Sequence, residues 1–295
     1  MLKALIQSMR PKQWVKNVFV LAALVFDRQL TNWTASLTTL LGVFLFCMLS
    51  SSVYLINDVA DKKADQNHPT KKDRPIASGK LPVQVAISVA IIIMVVSLWL
   101  AFRLSTSFGI ISSLYFLMNL AYSFKLKHIP LIDVMIIATG FVLRVAAGVS
   151  LIEVERFSPW LYVTTTLLAL FIGFGKRRAE IACLNENANQ HRKVLDGYTL
   201  EFLDQLITIV SSATIMTYSL YTFSAPNLPQ NNSMMLTIPF VLYGLFRYLY
   251  LIKVQKSGGA PEELILSDKP LHICVLCWGV SVLVIFYWSS IVSLF

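Results

Sequence analysis

Three aspartates recur at short intervals in "NDVADKKADQNHPTKKDRP", residues 57–75: Asp58, Asp61 and Asp65. On an α-helix, at about 100° per residue, Asp58 and Asp65 fall about 20° apart and Asp61 about 60° to one side. Asn57 lies one step round. Three carboxylates on one face repel each other unless something cationic sits among them. An oxygen-only donor set of this kind suits Mg²⁺, which keeps several waters and shares its shell with substrate phosphates. Asn57, Asp58, Asp61 and Asp65 are therefore the candidate metal ligands. Lys71, Lys72 and Arg74 follow, and bases at that place can hold the outer oxygens of a phosphate group. A solvated loop beside a membrane would explain the bases but not the aligned acids.

The elements that carry these residues are apolar. Of 295 residues, 56% are hydrophobic and 14% charged, with a mean hydropathy of +0.65. A soluble domain is about a quarter charged. Because roughly 20 apolar residues cross a bilayer, the runs near 35–56, 83–103, 107–124, 129–150, 159–175, 203–223, 234–252 and 271–294 read as spans. A ninth, near 11–30, is interrupted by Lys16 and Asn17; no small-x-small cleavage site follows it, which favours an uncleaved first span over a signal peptide. The expected fold is all-α: a single integral membrane domain over 1–295, a bundle of nine transmembrane helices. The aspartates then close the second span, and Pro69 and Pro75 end its helix and hold the next segment extended.

Charge orients the bundle. With the first segment cytoplasmic, twenty Lys and Arg lie on the cytoplasmic side and three, Arg28, Arg103 and Arg156, on the other; Arg144 and Arg247 lie within helices. That asymmetry places the chain in a cell (inner) membrane as a multi-pass protein, N-terminus cytoplasmic and C-terminus opposite, with its site opening to the cytoplasm. It also accounts for most of the net charge of +9, so the basic balance is no argument for nucleic acid. Cys274-x-x-Cys277 has no second pair and the four histidines are dispersed, a pattern of packing rather than zinc. The sequence leaves room for a homo-oligomer.

Several polar residues lie inside spans. Arg144, in the fifth, needs a partner or a wet cavity. Asp133 shares its side of the helix but stands about 16 Å away along the axis, too far to pair directly. Tyr115, Asn119 and Tyr122 form an i, i+4, i+7 stripe, as fit for a hydrogen-bonded helix seam as for substrate contact. Lys125 and Lys127 follow near the height of the aspartates, and Arg247 and Tyr198 are further candidate contacts.

"NDVADKKAD" resembles the NDxxDxxxD motif of the UbiA-type intramembrane prenyltransferases. Within that superfamily the chain is most similar to the decaprenyl-phosphate phosphoribosyltransferase branch, through "RPKQWVKN" at 10–17, "YLINDVADKKADQNHPTKKDRPIASG" at 54–79 and "GKRRAEI" at 175–181. "YSFKLKH", "FRYLY" and "PEELILSD" add weaker support. The resemblance implies a nine-helix bundle whose first aspartate motif binds a diphosphate through Mg²⁺. It brings Lys16 and Asn17 into the candidate site. Ring prenyltransferases of the type usually carry a second aspartate-rich motif; here that place reads Lys176-Arg177-Arg178-Ala179-Glu180. A reaction of phosphoribosyl diphosphate with a polyprenyl phosphate brings more phosphates than a prenyl diphosphate does, and so needs more fixed cations.

The resemblance thus implies Mg²⁺-dependent transfer of a 5-phosphoribosyl group from phosphoribosyl diphosphate to a long, decaprenyl-like polyprenyl phosphate in the lipid bilayer. Asn57, Asp58, Asp61, Lys176 and Arg177 would carry the chemistry. Lys16, Asn17, Asp65, Lys71, Arg74, Tyr122, Lys127, Arg144, Glu180, Tyr198 and Arg247 would bind substrate. An aromatic prenyltransferase using a polyprenyl diphosphate is the alternative. A transporter is the more distant one, disfavoured by the absence of repeats and by charge massed at one face.

Overall fold

The structure, a computed structural model, describes residues 1–67, 71–154, 158–184, 193–226, 228–255, 264 and 267–292. Pro69, Arg156, residues 293–294 of the last expected span and most of "PEELILSD" lie outside them. Every regular element described is helical, and among the described residues seven helices are long and apolar enough to cross a membrane. The chain divides into two compact units: Met1–Leu24, Gln29–Ile136 and Leu143–Glu153 form the first, and Val25–Arg28, Ile137–Val142 and Val154–Phe295 the second.

In the first unit, α1 (Leu2–Met9) leads into a 3₁₀ stretch, Pro11–Leu21, and then α2 (Ala22–Phe26), whose Val25 and Phe26 belong to the second unit. Then come α3 (Trp33–Ala60), α4 (Lys62–Gln66), α5 (Val83–Leu104), α6 (Thr106–Phe124) and α7 (Ile132–Val149), the last shared between units. The Asn32 side chain caps α3 by accepting the Ala35 amide at 3.2 Å. α5 packs between α3 and α6, and its Ala86, Ala90, Ser97 and Ala101 are all buried. Its Ile91, Ile92, Val95 and Trp99 face outward. Small residues inside and large apolar ones outside is the pattern of helices packed in lipid, where close approach rather than water exclusion holds them together.

The expected first span near 11–30 is not one α-helix. Residues Pro11–Leu21 wind as 3₁₀, and the side-chain pattern explains why. Trp14 Nε1 donates to Ser51 Oγ at 3.0 Å, Asn17 Nδ2 to Ser50 Oγ at 3.3 Å and Cys47 Sγ at 3.2 Å, and Val20 is fully buried. Positions 14, 17 and 20 repeat every three residues, the period at which 3₁₀ side chains line up. An α-helix would swing this row off α3.

Gly148 on α7 lets the two backbones meet. A Cβ there would lie 2.0 Å from the Val20 carbonyl oxygen, an atom that cannot swing aside. Gly148→Ala is therefore expected to destabilise the protein by about 1–3 kcal/mol, as overpacking does. Thermal unfolding in detergent would show it as a lowered Tm, and an unchanged Tm would mean the helix shifts freely.

In the second unit, α8 (Pro159–Leu184), α9 (Leu200–Ser224), α10 (Ile238–Lys253) and α11 (Lys269–Val292) pack as neighbours. Gly175 brings α8 against α10, since a Cβ there would lie 2.8 Å from Tyr248 Cε1. A buried seam runs from Thr164 to Thr217 (3.2 Å), with a second at Tyr218, whose hydroxyl bonds Thr237 and accepts the Trp278 indole N–H, both at 2.7 Å. Such side-chain bonds replace the hydrophobic drive that lipid cannot supply.

Asp268 caps α11: its Oδ1 accepts the Leu271 amide at 2.9 Å, while its two oxygens take Arg247 Nε and Nη2 at 3.1 and 2.8 Å. The Arg247 hydrogen bonds hold its carboxyl below the usual carboxylate range. That contribution is present at neutral pH and is lost on acidification below the ordinary aspartate value of about 4. Asp268→Ala should lower stability by about 1 kcal/mol through the lost cap. Asp268→Asn should keep the cap but flatten the acid limb of Tm against pH, which scanning from pH 7 to 3 would read.

Candidate functional site: an acid–base cluster at the end of α3

The three aspartates do not ride one helix. α3 ends at Ala60, Asp61 occupies the junction with φ −86° and ψ 0°, and α4 carries Asp65. Even so, the structure gathers the acids within one network of bases. Asp58 is 2% exposed; its Oδ1 takes Arg10 Nη2, and Arg74 Nη1 at 3.3 Å. Arg74 Nη1 also reaches Asp65 Oδ2 at 2.7 Å, so one guanidinium bridges two carboxylates. Lys127 Nζ donates to Asp61 Oδ1 at 2.7 Å, and Asn57 Nδ2 to Asp61 Oδ2 at 3.1 Å.

Each base is placed by its own local structure. Arg74 starts a compact turn that tucks the fully buried Ile76 and the nearly buried Leu81 beneath α1, α3 and α5, closed by Gly79 at φ +78°. The Ser78 amide donates to the Arg74 carbonyl at 2.8 Å, fixing the backbone from which Arg74 reaches inward. Lys127 sits on a 3₁₀ turn, Leu126–His128, after α6, and is 7% exposed. Arg10 ends α1 in the left-handed conformation, φ 54° and ψ 62°, which turns the chain into Pro11 and swings the guanidinium onto Asp58. The guanidinium also lies 4.9 Å from the centre of the Tyr54 ring. Sequence reasoning did not place Arg10 in the site; its only signal was its position at the head of "RPKQWVKN".

The chemistry of the donor set fits Mg²⁺: Asn57 Oδ1 and the Asp58, Asp61 and Asp65 carboxylates are all hard oxygen donors. As placed, one oxygen of each carboxylate is taken up by Arg10, Arg74 or Lys127, and among the described residues no three His, Cys, Asp or Glu side chains stand together as a metal cluster. The same three bases are suited to phosphate. Lys71 begins the 3₁₀ turn ahead of Arg74 and is half-buried.

Other sequence candidates lie elsewhere. Asn17 is fully buried, and its Oδ1 accepts Arg144 Nε at 2.8 Å; Arg144 Nη2 donates to the Tyr115 hydroxyl at 2.7 Å, with the guanidinium 4.7 Å from that ring's centre. Asn17 bonds α3 at Ser50, eight residues and about 12 Å along the helix from Asp58. Asn119 Nδ2 turns back to the Tyr115 carbonyl, so two members of the polar stripe bond internally; Tyr122 is half-buried. Asp133 is fully buried. Lys16 lies on the 3₁₀ stretch and is half-buried.

The second unit carries the basic group. Arg177 is 1% exposed and donates through Nη1 to Glu180 Oε2 at 2.6 Å, one turn on along α8. Lys176 beside it is half-buried. Arg178 faces differently: Nε bonds Asp204 at 2.7 Å, Nη1 the Ile252 carbonyl at 3.2 Å, and Lys253 joins Asp204 at 2.9 Å. Arg178 therefore clamps α8 to α9 and α10. Tyr198 is 6% exposed, just after the 3₁₀ turn Lys193–Gly197.

Known proteins place this arrangement in a family. The profile of the UbiA prenyltransferase family matches residues 17–264. The decaprenyl-phosphate phosphoribosyltransferase of Corynebacterium glutamicum is 34% identical over 279 residues, 93% of this chain and 84% of that protein. The enzyme of the same name from Mycobacterium tuberculosis is 32% identical over 280 residues, covering 92% and 91%. A UbiA homolog from Archaeoglobus fulgidus, solved bound to DMAPP and Mg²⁺, superposes with a TM-score of 0.73 at 18% identity, covering 96% of this chain and 98% of that one. The chain, a multi-pass membrane protein by its apolar helices, belongs to the UbiA prenyltransferase family.

Proposed function

We propose that the protein transfers a 5-phosphoribosyl group from phosphoribosyl diphosphate to a polyprenyl phosphate, releasing diphosphate. The observation that carries this reading is the cluster at the end of α3, where Asp58, Asp61 and Asp65 meet Arg10, Arg74 and Lys127. It offers oxygen donors for a metal and cations for phosphate in one place. The names of relatives matching over nine-tenths of the chain support the same transfer.

Asn57, Asp58, Asp61 and Asp65 would hold Mg²⁺, which when bound neutralises diphosphate charge and makes it a better leaving group. Arg74 and Lys127 would turn from carboxylate to phosphate oxygens, joined by Lys71, compensating the charge that grows as the C1–O bond breaks. Arg177 and Lys176 would neutralise phosphate charge in the second unit, and Glu180 would orient Arg177. The lipid phosphate is already anionic at neutral pH, so positioning rather than a general base is what it requires. Rate acceleration then comes from alignment and preset electrostatics. Lys16, Tyr122 and Tyr198 are proposed substrate contacts. Asn17, Arg144 and Arg247, whose polar atoms bond within the protein, are proposed to act through position.

The same proposal takes the whole chain as one domain crossing an inner membrane nine times, its site open to the cytoplasm. Twenty Lys and Arg against three support that orientation. The stretch Pro11–Phe26 supports the first crossing: eleven 3₁₀ residues and five α residues reach about 30 Å, the thickness of the hydrocarbon core.

The test is a donor experiment on purified protein in detergent with Mg²⁺. Labelled phosphoribosyl diphosphate is given with a polyprenyl phosphate, beside prenyl diphosphate with aromatic acids. Label entering the organic phase, and lost on chelation, is the expected result. Prenylation of the aromatic with label left in water would hand the function to the ring-prenylating alternative.

A further inference from the structure

α1 presents three stripes where a buried amphipathic helix needs two. Ala4, Leu5, Ser8 and Met9 lie on one arc; Ser8 is buried, and the other three pack on the cluster of Leu55, Ile76 and Leu81. Leu2 and Ile6, about 40° apart on the helix, form a second stripe that is apolar and uncovered, at 70% and 48% exposure. Lys3 and Gln7 form a third, exposed and polar. In water the second stripe is a liability, and in hydrocarbon the third is. A helix lying in the plane of the membrane interface satisfies all three. Lys12, exposed at the start of the 3₁₀ stretch, follows directly after α1. Residues 1–26 hold Lys3, Arg10, Lys12 and Lys16 and no Asp or Glu.

We propose that α1 and the start of the 3₁₀ stretch form a seat for an anionic bilayer surface, with Leu2 and Ile6 entering the acyl boundary and Lys3 and Lys12 bonding acidic lipid headgroups. The charge decides the partner: Lys3 and Lys12 are exposed on a segment with no Asp or Glu, and they favour anionic over zwitterionic lipid by about fivefold for each base at the surface. The seat also connects to the acid cluster, because α1 ends at Arg10 and the Arg10 guanidinium bonds Asp58. Lipid composition would thereby bear on how firmly Arg10 is held.

The experiment is hydrogen–deuterium exchange of residues 1–10 in the full-length protein, reconstituted in nanodiscs of phosphatidylcholine alone and with about one third phosphatidylglycerol. Exchange should be about fivefold slower or more in the anionic discs. The difference should vanish at high salt and in the Lys3→Glu/Lys12→Glu variant, while α5 and α9 exchange as before. Equal exchange in the two compositions overturns the proposal, and so does a difference that survives the double reversal with α5 intact. Should the variant disturb α5 and α9, the salt titration of the unaltered protein decides: protection insensitive to salt overturns the proposal.

Discussion

Asp58→Asn should lower phosphoribosyl transfer by about a hundred- to a thousandfold, the range seen when one preset electrostatic partner is lost, and leave the protein folded. The amide keeps the shape and one acceptor oxygen but removes the charge. Two effects then have to be separated. Arg74 retains Asp65 at 2.7 Å, whereas Arg10 retains only the Tyr54 ring among its contacts described above. Losing one partner of a fully buried pair costs about 3–5 kcal/mol. Here both arginine side chains are 28% exposed, so water takes up part of the stranded charge and the cost falls below that range. The catalytic loss therefore exceeds what instability explains. Rates at saturating Mg²⁺, measured beside Tm, separate the two, and intact turnover would sink the assignment of Asp58. Asp61→Asn is the companion: Asp61 is 31% exposed on its side chain, so its loss should cost less stability for a similar loss of rate.

Much of the architecture was legible because hydropathy is a local property. Seven of the expected spans coincide with helices long and apolar enough to cross a membrane, and α8 covers the expected 159–175. The 3₁₀ arm was not legible, since apolar content does not report winding. Its clue was the period of Trp14, Asn17 and Val20, which acquires meaning only once α3 lies beside it. The acids of the site were readable from spacing, but their partners were not. Arg10 and Lys127 come from 48 and 66 residues away, and the pairing of Asn17 with Arg144 spans 127. Reading the bases as reserved for phosphate overlooked that the folded chain must balance its own carboxylates. In "KRRAE", nothing local distinguishes Arg177, turned to Glu180, from Arg178, committed to Asp204.

Arg144→Met should reduce transfer by about a hundredfold through displacement rather than unfolding. A charged side chain in mid-membrane costs about 2.5–3.5 kcal/mol to insert, and the substitution removes that cost. Against it, the Asn17 carbonyl and the Tyr115 hydroxyl each lose a donor, at about 1–3 kcal/mol apiece. The two sums nearly cancel, so Tm should move little. What does not cancel is geometry, because Asn17 is the middle pin of the row that holds the 3₁₀ arm on α3, and that arm begins at Arg10. A shift of about 1 Å at a reacting centre is enough for a hundredfold loss. The loss should appear in kcat more than in KM, with faster amide exchange over residues 11–21 and none over α5. Arg144→Lys should recover little, since one ammonium cannot serve Asn17 and Tyr115 in the planar geometry of a guanidinium. A fall in Tm with uniformly faster exchange would instead make Arg144 a general stabiliser, and full activity in Arg144→Met would separate the arm from the chemistry altogether.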